Sequence, residues 1–416
     1  MKPIGMRSRS TSRSTSRFVD VSRPRRPSDL SENGAAYDVA AGVAEALDAF
    51  RAPERLGFGA VAAPVMFSVD WRDGVWQRGS LEPYGPIRIL PGARALQYAE
   101  LVFEGLKAYR VAHSANLFRP HDNWLRFARS AERLSMPIVP EALFFEAIDA
   151  VVGACLPIIP RETGRALYLR PFLFGTEAGY LLRNSTTFTF MVIANPVEMY
   201  AAGAMRIAIE RGDVRAAVGG VGAAKTAANY AASLRATTAA VSRGMTVALW
   251  LDAREQRFIQ ELSGMNVFAV IDGALHTPAL DGAILPGITR DSLLTLGRHL
   301  GYAVSERPMP IDELLAQIAS GECSEVFACG TAATVSPIAL LEDGGPRAQS
   351  RDVEPIRREY APRQVDVVAA RLREAKSAAR PTLSAGRGRC RRRPATRTRC
   401  GGNRIPRSSS AHPRSR

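Results

Sequence analysis

The sequence predicts a mixed α/β protein of two domains flanked by basic extensions, and three observations carry that prediction. The 416 residues, 46% of them hydrophobic, suffice for two buried cores, since one domain takes roughly 100–200 residues. Short β-rich runs alternate with stretches whose apolar residues recur at helical spacing. The formal net charge of +15 is uneven: residues 1–27 carry eight Lys/Arg against one acid, residues 376–416 carry thirteen against none, and the body between them stands at −5. A uniformly basic chain would point to nucleic acid or an anionic membrane, but here the basic character belongs to the ends.

Residues 1–35 are rich in Ser, Arg, Thr and Pro with few apolar anchors, so a disordered basic extension is expected. An Arg- and Ser-rich, acid-poor start also describes an organelle transit peptide, although a dispensable extension on a cytoplasmic protein is the preferred reading. Residues 376–416 are expected to form a disordered basic tail; they hold no aromatic residue to stack on bases, which argues against nucleic-acid binding as the main function. The five cysteines show no C-x-x-C spacing, so neither a disulfide framework nor a metal site is expected. No apolar run reaches the length of a membrane span, and the first 27 residues lack the apolar core of a secretory signal.

The first domain is expected over residues 36–194. A short helix falls at 37–50, and strands at 65–71 and 75–76 face each other across the turn Arg72-Asp73-Gly74. Residues 87–90 read as another strand. Phe103-Glu104-Gly105-Leu106-Lys107-Ala108-Tyr109-Arg110 reads as a glycine-broken segment leading into a strand, with Gly105 allowing a bend that alanine would not. A helix at 121–134 puts Trp124, Phe127, Ala131 and Leu134 on one stripe and leaves Arg126 and Arg129 outside it. A second helix covers 141–155. In the strand at 166–176, Tyr168 and Arg170 share a face because strand side chains repeat every second residue. An arginine in so apolar a strand needs a reason, since an unpaired buried charge is costly. The last strand of this half falls at 187–193, and the turn-rich residues 195–203 read as the interdomain loop.

The second domain is expected over 204–375. Strands fall at 205–209, 246–252, 258–261 and 267–271, with helices at 229–243, 290–300 and 311–319. Its centre is Gly219-Gly220-Val221-Gly222-Ala223-Ala224-Lys225-Thr226, where a lysine sits among residues too small to crowd it. A desolvated lysine favours its neutral, nucleophilic amine, as an aldehyde cofactor requires. Spacing alone leaves open a surface lysine in a Gly/Ala-rich loop. A phosphate loop of the form G-x-x-x-x-G-K-T fails at Ala224, where glycine is required. Pro286-Gly287-Ile288-Thr289 just before a helix offers free backbone N–H groups and a hydroxyl to an anion.

These segments together resemble the branched-chain amino acid aminotransferases, fold type IV enzymes dependent on pyridoxal 5'-phosphate. The resemblance rests on F-E-G-L-K-A-Y-R at 103–110, L-Y-L-R-P at 167–171, Lys225 with Asn229-Tyr230, Glu261 with Gly264, G-x-x-L-P-G-I-T-R at 282–290 and Gly330-Thr331-Ala332, and it spans about residues 57–340. It implies amino transfer between leucine, isoleucine or valine and 2-oxoglutarate, with Lys225 as the catalytic residue. It further implies that Arg126, Ile288, Thr289 and Thr331 hold the cofactor phosphate, that Tyr230 meets the phenolate oxygen, that Glu261 pairs with the ring nitrogen, and that Gly264 belongs to the cofactor site. Tyr98 and Phe103 would wall the substrate pocket, with Tyr168 and Arg170 meeting substrate beside Thr331 and Ala332. A homodimer is implied as well, as are a strand with a G-T-A turn over 325–338 and a last helix at 367–375. D-amino acid aminotransferases and aminodeoxychorismate lyases of the same fold are the alternative, although their chains tend to lack the full 103–110 and 167–171 segments. Two departures stand out: Ser263 replaces the family's usual glycine, and Ala333 and Ser336 occupy the places of the C-x-x-C pair of mammalian members.

Overall fold

Two twisted sheets, each with its own core, carry the chain. The computed structural model describes residues 18–19, 37–198, 203–344 and 356–359; the remainder of both basic extensions and the helix expected at 367–375 lie outside the described residues.

The first sheet is predominantly antiparallel, in the order Phe18–Val19, Ser114–Leu117, Leu106–Val111, Ala166–Gly175, Phe188–Val197, Val65–Arg72, Ser80–Pro83, Asp38–Val39. The helices Pro120–Arg133 and Glu141–Cys155 accompany it. Phe127, Phe144 and Phe190 meet there at ring separations of 5.6–6.0 Å, fully buried with Phe67 and Ile148. Such aromatic burial supplies most of the driving force for closing the layer. The second sheet is mixed, in the order Ile259–Leu262, Val247–Leu251, Met205–Glu210, Thr334–Asp343, Cys323–Gly330, Asn266–Ile271, Ala274–Pro278, Val304–Arg307. Leu314 and Leu315 of the helix Ile311–Ser320 join one of its cores, and Leu293 and Leu294 of the helix Ile288–His299 join another around the stacked Phe268 and Phe327.

Most expected elements stand within a residue or two of their positions, and the exceptions have physical reasons. Residues 87–90 form no strand: Ile87 and Leu90 are 45% and 65% exposed, and Pro86 and Pro91 on either side limit ladder hydrogen bonding. The expected helix at 37–50 is the strand Asp38–Val39 followed by the helix Val43–Ala49, separated by Gly42 in the left-handed region at φ 85°. The helix at 229–243 is two pieces, Ala227–Ala231 and Leu234–Ser242, where the Ser233 hydroxyl donates to the Tyr230 carbonyl and competes with helical bonding. The interdomain loop does not begin at 195, because Asn195, Pro196 and Val197 pair with Tyr168, Leu167 and Ala166. Pro196 is tolerated there since ladder pairing with Val65–Arg72 stops at Val192, and beyond it the strand accepts the Ala63 N–H at the Ala194 carbonyl, a bond that needs no N–H from proline. Residues 199–202 lie outside the described residues. At the N-terminal end, Phe18–Val19 pair with Asn116 and Ala115, so the extension expected to be disordered contributes one short strand.

Candidate active site

The strand Leu101–Phe103 and the lysine segment are sewn together at the cleft between the sheets. Phe103 N–H donates to the Lys225 carbonyl at 3.0 Å, Thr226 Oγ1 donates to the Leu101 carbonyl at 2.7 Å, and Lys225 N–H donates to Ser130 Oγ at 2.9 Å. Asn229 Nδ2 spans the bend beneath, donating at 2.8 Å to both Val221 and Ala224 carbonyls. Gly222 is required here, since a Cβ would lie 2.2 Å from the Ala283 carbonyl oxygen. The lysine backbone is thus fixed from both halves. Its half-buried side chain opens on a cavity of about 690 Å³, where Nζ donates to Tyr230 Oη at 3.0 Å and sits 4.8 Å from the centre of the Phe103 ring.

Opposite charges are buried around this amine. Glu261 makes an ion pair with Arg215 at 3.0 Å and accepts from Asn266 Nδ2 at 3.0 Å and from Leu285 N–H at 3.3 Å. Burial pushes its carboxyl up to about 7, while Arg215, Leu285 N–H and Lys225 pull it back. Glu104, fully buried, grips Arg126 with both oxygens, at 2.7 and 2.9 Å, and also accepts from Asn123 and from Gly105 N–H. Burial raises the Glu104 carboxyl, but the Arg126 guanidinium outweighs it and holds the group below its usual range.

The raised Glu261 carboxyl has a measurable consequence. A folded-state value above the unfolded one keeps the proton on the native protein, so this contribution to stability is full below about pH 4.5 and lost as pH rises through about 7. In the cofactor-free protein, the thermal midpoint of wild type relative to Glu261→Gln is expected to fall across that window. A pH-independent difference would contradict it.

The walls suit a phosphorylated, ring-shaped cofactor. Arg126 commits part of its guanidinium to Glu104 and the Pro286 carbonyl, leaving N–H donors unused. The helix Ile288–His299 begins at Gly287 without a side-chain cap, so its first N–H groups are free for an anion. A Cβ on Gly287 would come within 2.0 Å of Asn266 Oδ1. Arg119 steadies this first turn from the other half, pairing with Asp291 at 2.6 Å and donating to Ser292 Oγ at 2.8 Å.

Among the residues picked out in the sequence, Arg126, Lys225, Tyr230, Glu261, Gly264, Ile288, Thr289 and Thr331 line this one cavity, as do Phe103, Tyr168, Arg170 and Ala332. Arg170 donates to Tyr168 Oη at 3.1 Å and stacks 4.6 Å over the Phe103 ring. Tyr98 is not brought in: it ends the short helix Arg94–Tyr98, is 43% exposed and donates to the Tyr180 carbonyl at 2.7 Å. Arg129 is exposed. Ser263 takes a productive place, accepting from Trp250 Nε1 and bonding Thr237, and its backbone has no positive φ. Gly105 is needed for a reason other than a bend: its φ is not positive, but a Cβ there would lie 2.2 Å from Tyr168 Oη. The Gly105→Ala variant is therefore expected to displace Tyr168 and lower kcat/KM roughly 10- to 100-fold, with about 1–3 kcal/mol lost in stability; steady-state kinetics and a melting curve check both.

Sequence reasoning missed Glu104, Arg215 and Asn266. For Glu104 and Arg215 a signal exists, a charged side chain inside an otherwise apolar run, the same signal that Arg170 carries. Asn266 gives none. Among the described residues no group of three or more His, Cys, Asp or Glu could hold a metal ion, and no helix is long and apolar enough to cross a membrane.

A fixed lysine amine beside a phenol, a buried carboxylate and a helix N-terminus is a set suited to an enzyme working through a phosphorylated aldehyde. The amino-transferase class IV family model matches residues 101–341, and the chain belongs to that family. It is 43% identical over 309 residues to the branched-chain-amino-acid aminotransferase of Mycobacterium tuberculosis, covering 72% of this chain and 84% of that one. Among solved structures it resembles the branched-chain aminotransferase of Thermoproteus uzoniensis with norvaline (TM-score 0.60, 26% identity, 74% of this chain and 95% of that one). It also resembles the T.th. branched-chain amino acid aminotransferase complexed with N-(5'-phosphopyridoxyl)-L-glutamate (TM-score 0.58, 29% identity, 75% and 95%).

Proposed function

We infer that this chain is a pyridoxal 5'-phosphate-dependent branched-chain-amino-acid aminotransferase, exchanging the amino group of leucine, isoleucine or valine with 2-oxoglutarate. The observation that carries the site assignment is the Lys225 amine held 3.0 Å from Tyr230 Oη in the cavity that Glu261 and Arg126 also line. When bound, pyridoxal 5'-phosphate supplies an electron sink for the carbanion left when the substrate loses its α-proton.

The chain's own residues do the rest. Lys225 would hold the aldehyde and, once its amine is free, would take the proton from the substrate Cα as general base and deliver it as general acid to the former aldehyde carbon. Tyr230 donates to the phenolate oxygen and orients the Lys225 amine. Glu261, backed by Arg215, offers an anion to the ring nitrogen and keeps that nitrogen protonated. Arg126, Thr289, Thr331 and the N–H groups that open the helix Ile288–His299 bind the phosphate. Phe58, Phe103, Phe172 and Ile193 give the cavity apolar walls suited to a branched side chain, and Arg170 beside Tyr168 offers a cation to the second carboxylate of glutamate. An apolar pocket separates neighbours differing by one methylene by only about 1–3 kcal/mol, so activity on all three branched-chain substrates is expected. The reading includes a cytoplasmic homodimer, which light scattering would test by mass.

Purified protein reconstituted with pyridoxal 5'-phosphate is expected to show a visible absorbance band that borohydride bleaches, and to pass the amino group of labelled leucine to 2-oxoglutarate. Folded protein that stays colourless and leaves leucine untouched would overturn the assignment. Glu261→Gln is expected to retain the band but lose roughly 100- to 1,000-fold in kcat, because a neutral amide no longer holds the ring nitrogen protonated; unchanged turnover would remove Glu261 from the site.

A further inference from the structure

Arg119 does not line the cavity and takes no part in the chemistry above, yet it joins the two halves of the protein beside it. It precedes the helix Pro120–Arg133 with its backbone at φ 50°, a left-handed conformation that a residue with a side chain keeps only where its surroundings hold it. Its side chain is 18% exposed. Nε donates to Asp122 Oδ2 at 2.7 Å, while Nη1 pairs with Asp291 Oδ2 at 2.6 Å and donates to Ser292 Oγ at 2.8 Å. The Ile288 carbonyl lies 3.4 Å from the same nitrogen and accepts from Ser292 Oγ at 2.8 Å.

Both helix starts that meet at Arg119 lead to donors facing the cavity. The helix Pro120–Arg133 carries Arg126, and the helix Ile288–His299 opens with Ile288, Thr289 and uncapped N–H groups. Asp291 stands in the first turn of that second helix. A carboxylate there is drawn to the positive end of the helix and opposes any second anion bound at it. Arg119 supplies the opposite charge, and among the described residues it makes the one salt bridge of Asp291.

We propose that Arg119 is a positioning residue for the cofactor phosphate, acting through Asp291: it cancels the carboxylate in the first turn of the helix Ile288–His299 and ties that turn to the helix bearing Arg126, which leaves the helix start free to take a phosphate. The proposal rests on the pyridoxal 5'-phosphate reading of the cleft.

The test compares pyridoxal 5'-phosphate with pyridoxal, which has the same aldehyde and lacks the phosphate. Dissociation constants of both are measured from the growth of the absorbance band on cofactor-free wild type, Arg119→Met and the double variant Arg119→Met/Asp291→Asn. In Arg119→Met the preference for pyridoxal 5'-phosphate over pyridoxal is expected to fall roughly fivefold, with pyridoxal itself bound within about twofold of wild type. Removing the uncovered carboxylate as well should return that preference to within about twofold of wild type. If Arg119→Met does not fold, Arg119→Gln gives the same reading. An unchanged preference, an equal loss for the two aldehydes, as looser packing would give, or a double variant no better than Arg119→Met each overturns the proposal. A wild type that forms no bleachable band with pyridoxal 5'-phosphate would instead overturn the aminotransferase reading, so the two failures are distinct.

Discussion

Replacing Lys225 with alanine is expected to abolish the borohydride-sensitive absorbance band and to lower turnover by at least roughly 10,000-fold. Among the described residues the amine is the only one of a lysine lining the cavity, and on the proposed function it is the group that moves the proton from the substrate Cα. Removing it should leave the fold intact, because the segment is held by main-chain and neighbouring side-chain bonds: Phe103 N–H to the Lys225 carbonyl, Lys225 N–H to Ser130 and Asn229 to Val221 and Ala224. Alanine preserves all of these. A wild-type melting curve with no turnover is the expected pair of results, and substantial residual transamination would remove Lys225 from its role.

Glu104→Gln is expected to cost about 3–5 kcal/mol of stability, seen as a fall in thermal midpoint of roughly 10 °C, although Glu104 is not among the residues expected to touch cofactor or substrate. The substitution keeps the shape and removes the charge, leaving the Arg126 guanidinium buried without its bidentate partner. The deficit should be larger in the cofactor-free protein than in the loaded one, because a phosphate offered to Arg126 supplies the missing negative charge. It should also shrink in acid. The folded-state carboxyl of Glu104 lies below its unfolded value, so its contribution is present above about pH 4.5 and lost as pH falls through the folded value. A Glu104→Gln protein as stable as wild type at neutral pH would show that Arg126 is compensated elsewhere.

The difference between Glu104 and Glu261 follows from what faces each carboxylate. Both are buried, but Glu104 receives two charged hydrogen bonds from one guanidinium, while Glu261 has a single ion pair and two neutral donors. Burial therefore loses at Glu104 and wins at Glu261. Near neutrality the raised Glu261 carboxyl gives up its proton readily, whereas Glu104 stays an anion that keeps Arg126 in place.

By itself the sequence determined the order and type of most elements, the acidic body between basic ends, and a lysine segment and a Pro-Gly-Ile-Thr helix start that line one cavity. Those properties are local: periodicity over ten residues reports which face is buried, and a lysine among glycines and alanines is visible without knowing what lies across the cleft. What only the tertiary structure decided is which charges compensate one another over long separations. Glu104 meets Arg126 and Arg215 meets Glu261, while among the described residues the Lys107 ammonium finds only a neutral acceptor, the Ala332 carbonyl, across 225 positions of chain. The same holds for Gly105, required by the approach of Tyr168 rather than by its own φ, and for Tyr98, which stands outside the cavity of its own chain. Electrostatic energy depends on distance through space and on the water removed around each charge, and neither is written in the spacing of residues along a chain.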